Sequence, residues 1–141
     1  YEISNFSKKN KECEHNLHYW RLEPYLAFGP GAHGFDGQKR WWNKKSIDYY
    51  LDKLEHNALP IEFEETLSKK DCFNETVMNG LRLIEGAKLQ KLDSLLDESL
   101  DKYLLPYTKK WPYISNNGEN LSLNKKGLLF ADEIIADLFL I

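Results

Sequence analysis

Two stretches of the chain carry residue types that could do chemistry. The first, Cys13-Glu14-His15-Asn16-Leu17-His18-Tyr19-Trp20, places one thiol and two imidazoles within six positions. Thiolates and imidazoles ligate zinc, but a structural zinc site takes four donors and no second paired knuckle supplies the rest. His15 could instead offer one ring nitrogen axially to haem iron, with Tyr19 and Trp20 giving apolar cover and polar edges to a porphyrin. A histidine hydrogen-bonded within a loop would read the same, so the spacing alone leaves both uses open. Cys13 is a poor redox candidate, because the neighbouring Glu14 opposes the thiolate that oxidation chemistry needs.

The second stretch is Gly29-Pro30-Gly31-Ala32-His33-Gly34, directly after the apolar run Tyr25-Leu26-Ala27-Phe28. Small residues after a strand let a ligand approach the backbone, and at the C-terminal edge of a barrel such a loop lies in the active-site mouth. No Gly-Lys-Ser/Thr ending makes it a P-loop, and it lacks the three spaced glycines of a dinucleotide fingerprint. His33 could stack on a planar ligand or move a proton, although a packed turn histidine looks identical. There is no nucleophile elbow and no HExxH motif. The pairs Glu64-Glu65, Asp97-Glu98 and Asp132-Glu133 have the placement of solvated surface charge. No residue is assigned as catalytic.

Elements must position these stretches. The chain has 141 residues, 42% hydrophobic and 29% charged, which are globular values and suffice for a core without metal or disulfide staples. Nineteen basic against 22 acidic residues, a formal net charge of -3, argue against unspecific binding to nucleic acid. Cys13 and Cys72 are expected to be reduced thiols in a cytoplasm, with no signal peptide pattern, no apolar stretch of bilayer length and no stable membrane insertion. Aromatic residues make up 13% of the chain and crowd its first 50 positions, as either a core of flat side chains or a cover for a ring-shaped ligand or partner.

Residues 4–16 read as a polar surface loop, and His15 to Arg21 as a short helix or turn that Pro24 stops. Tyr25–Phe28 is expected to be a buried strand. Ser46 caps a helix with Ile47, Tyr50, Leu51 and Leu54 on one face, and Ile61–Glu64 alternates as a strand with one buried face. From Ser68 the organisation changes. A helix over about 69–84 carries the stripe Phe73, Val77, Leu81 and Ile84, with Gly86 at its end. Leu89, Leu92, Leu95 and Leu96 belong to a second short helix, and Leu100, Tyr103, Leu104 and Leu105 form a further apolar patch. Asn116-Asn117-Gly118 turns a hairpin between Trp111–Ile114 and Leu121–Leu123, and Asn124 caps a final helix. Helices, a small hairpin and another helix suggest a winged-helix-like module. Residues 69–141 hold ten basic and eleven acidic side chains, and the second helix is acidic, so packing against protein is expected rather than DNA binding.

The runs Tyr1-Glu2-Ile3-Ser4-Asn5-Phe6, Cys13-x-His15-Asn16-x-x-Tyr19-Trp20, Tyr25-Leu26-x-x-Gly29-x-Gly31-Ala32-His33 and Arg40-x-x-Asn43 together resemble the HemW-like branch of the radical SAM family. That branch is related to HemN, the oxygen-independent coproporphyrinogen III oxidase. The resemblance covers almost the whole chain and implies an α+β fold in two parts. Residues 1–67 would be the C-terminal α/β remnant of a radical SAM barrel with its glycine-rich loop, and residues 68–141 a mainly helical, winged-helix-like HemN C-terminal domain. The opening on Tyr1-Glu2-Ile3, like the end of a strand, agrees with an internal start in a longer protein.

The same resemblance implies haem, S-adenosylmethionine and a [4Fe-4S] cluster in the full-length parent. The family's Cys-x-x-x-Cys-x-x-Cys motif is absent here, so the piece alone is expected to perform no radical chemistry. The HNxxYW motif, His15, Asn16, Tyr19 and Trp20, is implied to bind haem with His15 as iron ligand. Gly29, Gly31, Ala32 and His33 are implied to lie near S-adenosylmethionine. The implied function is a haem chaperone that passes haem to an accepting protein, with coproporphyrinogen oxidation, or an isolated interaction module, as the alternatives. The missing barrel portion would pack against residues 1–67.

Overall fold

A computed structural model describes residues 1–141 as a mixed α+β chain that divides into two compact units. One comprises Glu23–Ser68, and the other Tyr1–Leu22 with Lys69–Ile141. The first 22 residues therefore pack with the C-terminal half rather than with the residues that directly follow them.

The reason lies in the backbone of the larger unit. Glu2 bridges antiparallel to Leu83, while the Ile3 amide donates to Arg82 at 3.0 Å and the Ile84 amide to Tyr1 at 3.1 Å. Glu2 is buried, and its carboxylate accepts from the Ser4 amide at 2.9 Å and from the Asn5 side chain, which satisfies a charge that would otherwise be costly to bury. This pairing also shortens the helix expected over 69–84. Helix α3 spans Lys69–Gly80, and beyond it the backbone around Leu83 turns to meet Tyr1 and Ile3, leaving Ile84 exposed instead of on the stripe.

Helix α1 runs Glu14–Trp20, with Leu17 buried. The core of the unit joins Phe73, Val77 and Leu81 with Leu92 from α4 (Leu89–Ser94) and with Leu100 and Leu104 from α5 (Leu100–Lys110). Ala131, Ile134 and Ile135 of α6 (Ala131–Asp137), followed by Leu138, close it from the other side. Helix α5 runs through Pro106, whose ring cannot donate to Lys102. Both residues are exposed. Tyr103 packs edge-to-face on Phe73 and donates its hydroxyl to the Leu138 carbonyl at 2.8 Å. Burial, more than the neighbouring Tyr107, raises the pKa of that phenol and keeps it a neutral donor.

The expected hairpin is present. Strands β5 (Ile114–Asn116) and β6 (Asn120–Leu123) pair antiparallel, and the two-residue β4 (Ala87–Lys88) adds to the other edge of β6. Asn116 and Asn117 accept backbone amides of the turn through their side chains, the Asx chemistry that makes this sequence turn. Trp111 lies outside the strand and donates its indole N–H to Asp137 at 2.7 Å. Asn124 accepts from the amides of Lys126 and Gly127, and the chain enters a 3-10 turn at Gly127–Phe130 before α6.

The smaller unit is an antiparallel meander of β1 (His33–Phe35), β2 (Lys39–Asn43) and β3 (Ile61–Thr66), with α2 (Ile47–Glu55) between the last two strands. Ser46 caps α2 by accepting the Tyr49 amide at 3.3 Å. Two expectations of burial fail here. Tyr25 alone exchanges backbone bonds with Phe35, while Leu26 is 69% and Phe28 80% exposed. Strand β3 is extended but buries no full face, and Phe63 is about half exposed. Ile47, Leu51 and Leu54 on α2 are exposed as well. Apolar character yields burial only where an opposing surface exists, and within this unit few residues supply one.

Candidate functional site

Helix α1 divides the first motif between two faces. His15 and Tyr19 are four residues apart, so they share a face; both are exposed, with ring centroids 4.9 Å apart and planes at 84°. The edge-to-face contact fixes the imidazole against a phenol ring and leaves it at the surface, where an iron could approach. Asn16 and Trp20, also four residues apart, are half-buried. The Asn16 amide donates to the Tyr1 hydroxyl at 3.1 Å, which ties the helix to the start of the chain. His18 makes a more distant edge contact with Tyr19 at 6.4 Å.

A third side of α1 borders an open cavity of about 560 Å³, where Glu14, Leu17 and Arg21 face Ile84 and Glu85. Arg21 and Glu85 are ion-paired across it, and the Arg21 guanidinium holds the Glu85 carboxyl below its usual range. Neither His15 nor Tyr19 lines this cavity, so the motif and the cavity are separate surfaces of the same helix.

The second motif belongs to the smaller unit. Gly29 and Gly31 have φ of +97° and +69°, left-handed conformations in which a side chain would be strained. A Cβ on Gly31 would also stand 2.9 Å from Lys45 Cγ. Ala32 donates to the Gly29 carbonyl at 3.3 Å, closing a tight turn that delivers the chain into β1. His33 is exposed at the start of β1, directly opposite Trp42, with ring centroids 5.7 Å apart; Trp42 in turn stacks on Phe63 at 4.5 Å. His33 thus ends a cross-strand row of three rings.

Sequence reading assigned no role to two residues that contact this loop. Asn43 is 2% exposed and reaches the carbonyls of Ala27 and Gly29 with its side-chain amide, at 3.3 and 3.0 Å. The Tyr50 hydroxyl accepts the Gly29 amide at 3.1 Å. Asn43 stood only in the run Arg40-x-x-Asn43 and Tyr50 only on the apolar face of a helix, and neither spacing points to the loop, because the contacts join residues 14 and 21 positions apart.

The donor set can be tested against the groups that the family resemblance implies. His15, an exposed imidazole with a ring beside it, is of the chemistry that would hold a haem iron. Cys13 and Cys72 are both free thiols, and no group of three His, Cys, Asp or Glu side chains is gathered that could hold a metal ion. Two thiols do not fit the three-thiolate site of a [4Fe-4S] cluster.

Over 138 residues the chain is 33% identical to heme chaperone HemW of Mycobacterium tuberculosis, covering 98% of this chain and 34% of that protein. It is 31% identical over 137 residues to heme chaperone HemW of Bacillus subtilis, covering 95% of this chain and 36% of that one. Along nearly its whole length the chain is similar to these HemW proteins. A third HemW, from Haemophilus influenzae, is 33% identical across 99% of this chain and 37% of its own length. The chain thus spans about a third of the length of the curated HemW relatives it matches. No protein-family model matches it. Its fold is similar to part of coproporphyrinogen III oxidase (HemN) from Escherichia coli, a radical SAM enzyme, with a TM-score of 0.56 and 17% identity over 82% of this chain and 28% of that one. No helix is long and apolar enough to cross a membrane.

Proposed function

We propose that the HemW-like protein of which this chain forms about a third is a cytoplasmic haem chaperone, which binds haem and passes it to an accepting protein. The observation that carries this reading is similarity along nearly the whole chain to proteins named heme chaperone HemW, joined to an exposed His15 on the motif helix. His15 would ligate the iron, Tyr19 would cover one edge of the porphyrin, and Asn16 and Trp20 would complete the site from the inner side of α1. Haem itself is cargo, and the chain's part is to hold it by one imidazole and to shield its apolar rim.

In the same reading S-adenosylmethionine lies against Gly29, Gly31, Ala32 and His33. The cluster is held elsewhere in the polypeptide, because the cysteines of this chain do not fit it. Bound together, the cluster and S-adenosylmethionine would supply one-electron chemistry. Residues 1–67 would close the barrel and residues 68–141 form the HemN-type domain. The remaining barrel would cover the exposed Leu26, Phe28, Ile47, Leu51 and Leu54, apolar side chains that this chain leaves in contact with water.

The test is a haem titration of the full-length protein, read in the Soret region, together with an anaerobic assay for conversion of coproporphyrinogen III. Stoichiometric haem binding without product supports the chaperone. Product formation would transfer the reading to the oxidase that the fold also resembles.

A further inference from the structure

The glycine-rich loop does not hold its own shape. Glycines are the residues least able to do so, because they lose the most backbone freedom on ordering. Inside the loop the Ala32 amide meets the Gly29 carbonyl at 3.3 Å, and the other fastenings come from outside. Asn43, at the end of β2, donates through its side-chain amide to Gly29 O at 3.0 Å and Ala27 O at 3.3 Å, and its backbone N–H donates to Ala32 O at 2.9 Å. The next residue, Lys44, accepts the Gly31 amide at 3.2 Å. Tyr50 on α2 accepts the Gly29 amide at 3.1 Å. Both backbone groups of Gly29, the amide of Gly31 and the carbonyl of Ala32 are thereby tied to a span of eight residues, 43 to 50.

We propose that Asn43 and Tyr50 are positioning residues that pre-organise the Gly29–His33 loop for S-adenosylmethionine. This rests on the reading of that loop as an S-adenosylmethionine contact. The chemistry of the two side chains is specific. A primary amide carries two N–H donors, and here they meet two carbonyl oxygens that point into a buried position. Aspartate has the same shape and no donor when ionised, so it would set a carboxylate against two carbonyls. Tyr50 contributes a single hydroxyl acceptor, and phenylalanine deletes only that. A loop fastened before the ligand arrives loses less entropy on binding, which appears as affinity.

The experiment uses the full-length protein, calorimetric titration with S-adenosylmethionine, and hydrogen exchange of the Gly29 and Gly31 amides without ligand. Asn43→Asp is expected to weaken S-adenosylmethionine binding by about tenfold or more, and Tyr50→Phe by about threefold, with cluster content unchanged. Tyr50→Phe should also speed exchange at Gly29, while the circular dichroism spectrum stays that of the wild type. Gly31→Val tests the loop itself. If Gly31→Val leaves affinity intact, the loop is not the contact and the proposal falls with that reading. If Gly31→Val abolishes binding while Tyr50→Phe changes neither affinity nor Gly29 exchange, the loop reading stands and the fastening proposal is overturned. Should Asn43→Asp fail to fold, Tyr50→Phe decides alone.

Discussion

Arg21 and Glu85 form a two-point pair, the guanidinium Nε donating to one carboxylate oxygen at 2.8 Å and a terminal nitrogen to the other at 3.1 Å. It joins the C-cap of α1 to the segment after Leu83, 64 positions further along the chain. The hydrogen bond from Arg21 is the main cause that lowers the Glu85 pKa, with burial opposing it. A depressed carboxyl contributes stability above its unfolded pKa and loses that contribution as pH falls through the folded one. Glu85→Gln should therefore destabilise the chain at neutral pH and match the wild type in acid below the folded pKa. Both side chains are more than a third exposed, at 38% and 47%, so solvent screening limits the difference to about 0.5 kcal/mol. Urea midpoints measured across acid pH check it; a difference that persists unchanged into strong acid would assign the effect to packing instead.

On the proposed reading, in which His15 ligates the iron, His15→Ala in the full-length protein should weaken haem binding at least about tenfold and shift the Soret band, because an imidazole ligand would be lost. His15 is exposed, so its truncation leaves the core untouched and circular dichroism should be unchanged. Trp20→Ala should lower affinity with a smaller spectral change, since it removes cover and no ligand. An unaltered titration of folded His15→Ala would remove the histidine from the iron.

The 141-residue chain should not assemble a [4Fe-4S] cluster. Its two cysteines cannot supply three thiolates to one cluster, and no group of three metal-binding side chains is gathered. Anaerobic reconstitution followed by iron and sulfide analysis is the measurement. A stoichiometric four-iron cluster on a monomer of this length would contradict the ligand argument.

Leu51→Asp separates the isolated chain from the full-length protein. Leu51 is half exposed on α2, beside Ile47 and Leu54, so in the isolated chain the substitution should change stability by less than about 0.5 kcal/mol. In the full-length protein, burial under the remaining barrel would make it cost about 2 kcal/mol or more. Thermal melts of the two pairs of proteins give the answer; equal small effects would show that this helix face stays bare.

Phe73→Ala should be the most damaging of these changes to the larger unit. Phe73 is fully buried at the centre of the core and meets the Tyr103 ring at 5.4 Å, so truncation should cost about 3–5 kcal/mol. Chemical denaturation of the 141-residue chain reads the loss. A cost under about 1 kcal/mol would mean the site collapses around the missing ring.

Local signals in the sequence determined the elements whose causes are local. Ser46 before an amphipathic run announced α2, Asn116-Asn117-Gly118 announced the hairpin, and the spacing of Phe73, Val77 and Leu81 announced the buried stripe of α3. The segment from His15 was legible as a short helix or turn, while the contact of the His15 and Tyr19 rings on one face of α1 came only with the structure. Tertiary structure decided everything that depends on a distant partner. The end of α3 at Gly80 follows from backbone pairing of Tyr1 and Ile3 with the segment beyond it, which no helix propensity encodes. The apolar run Tyr25–Phe28 looked buried, yet Leu26 and Phe28 are exposed, because composition records a need for cover and not whether a covering surface is present. The role of Asn43 was hidden for the same physical reason: one amide acquires meaning only when folding brings two distant carbonyls to it.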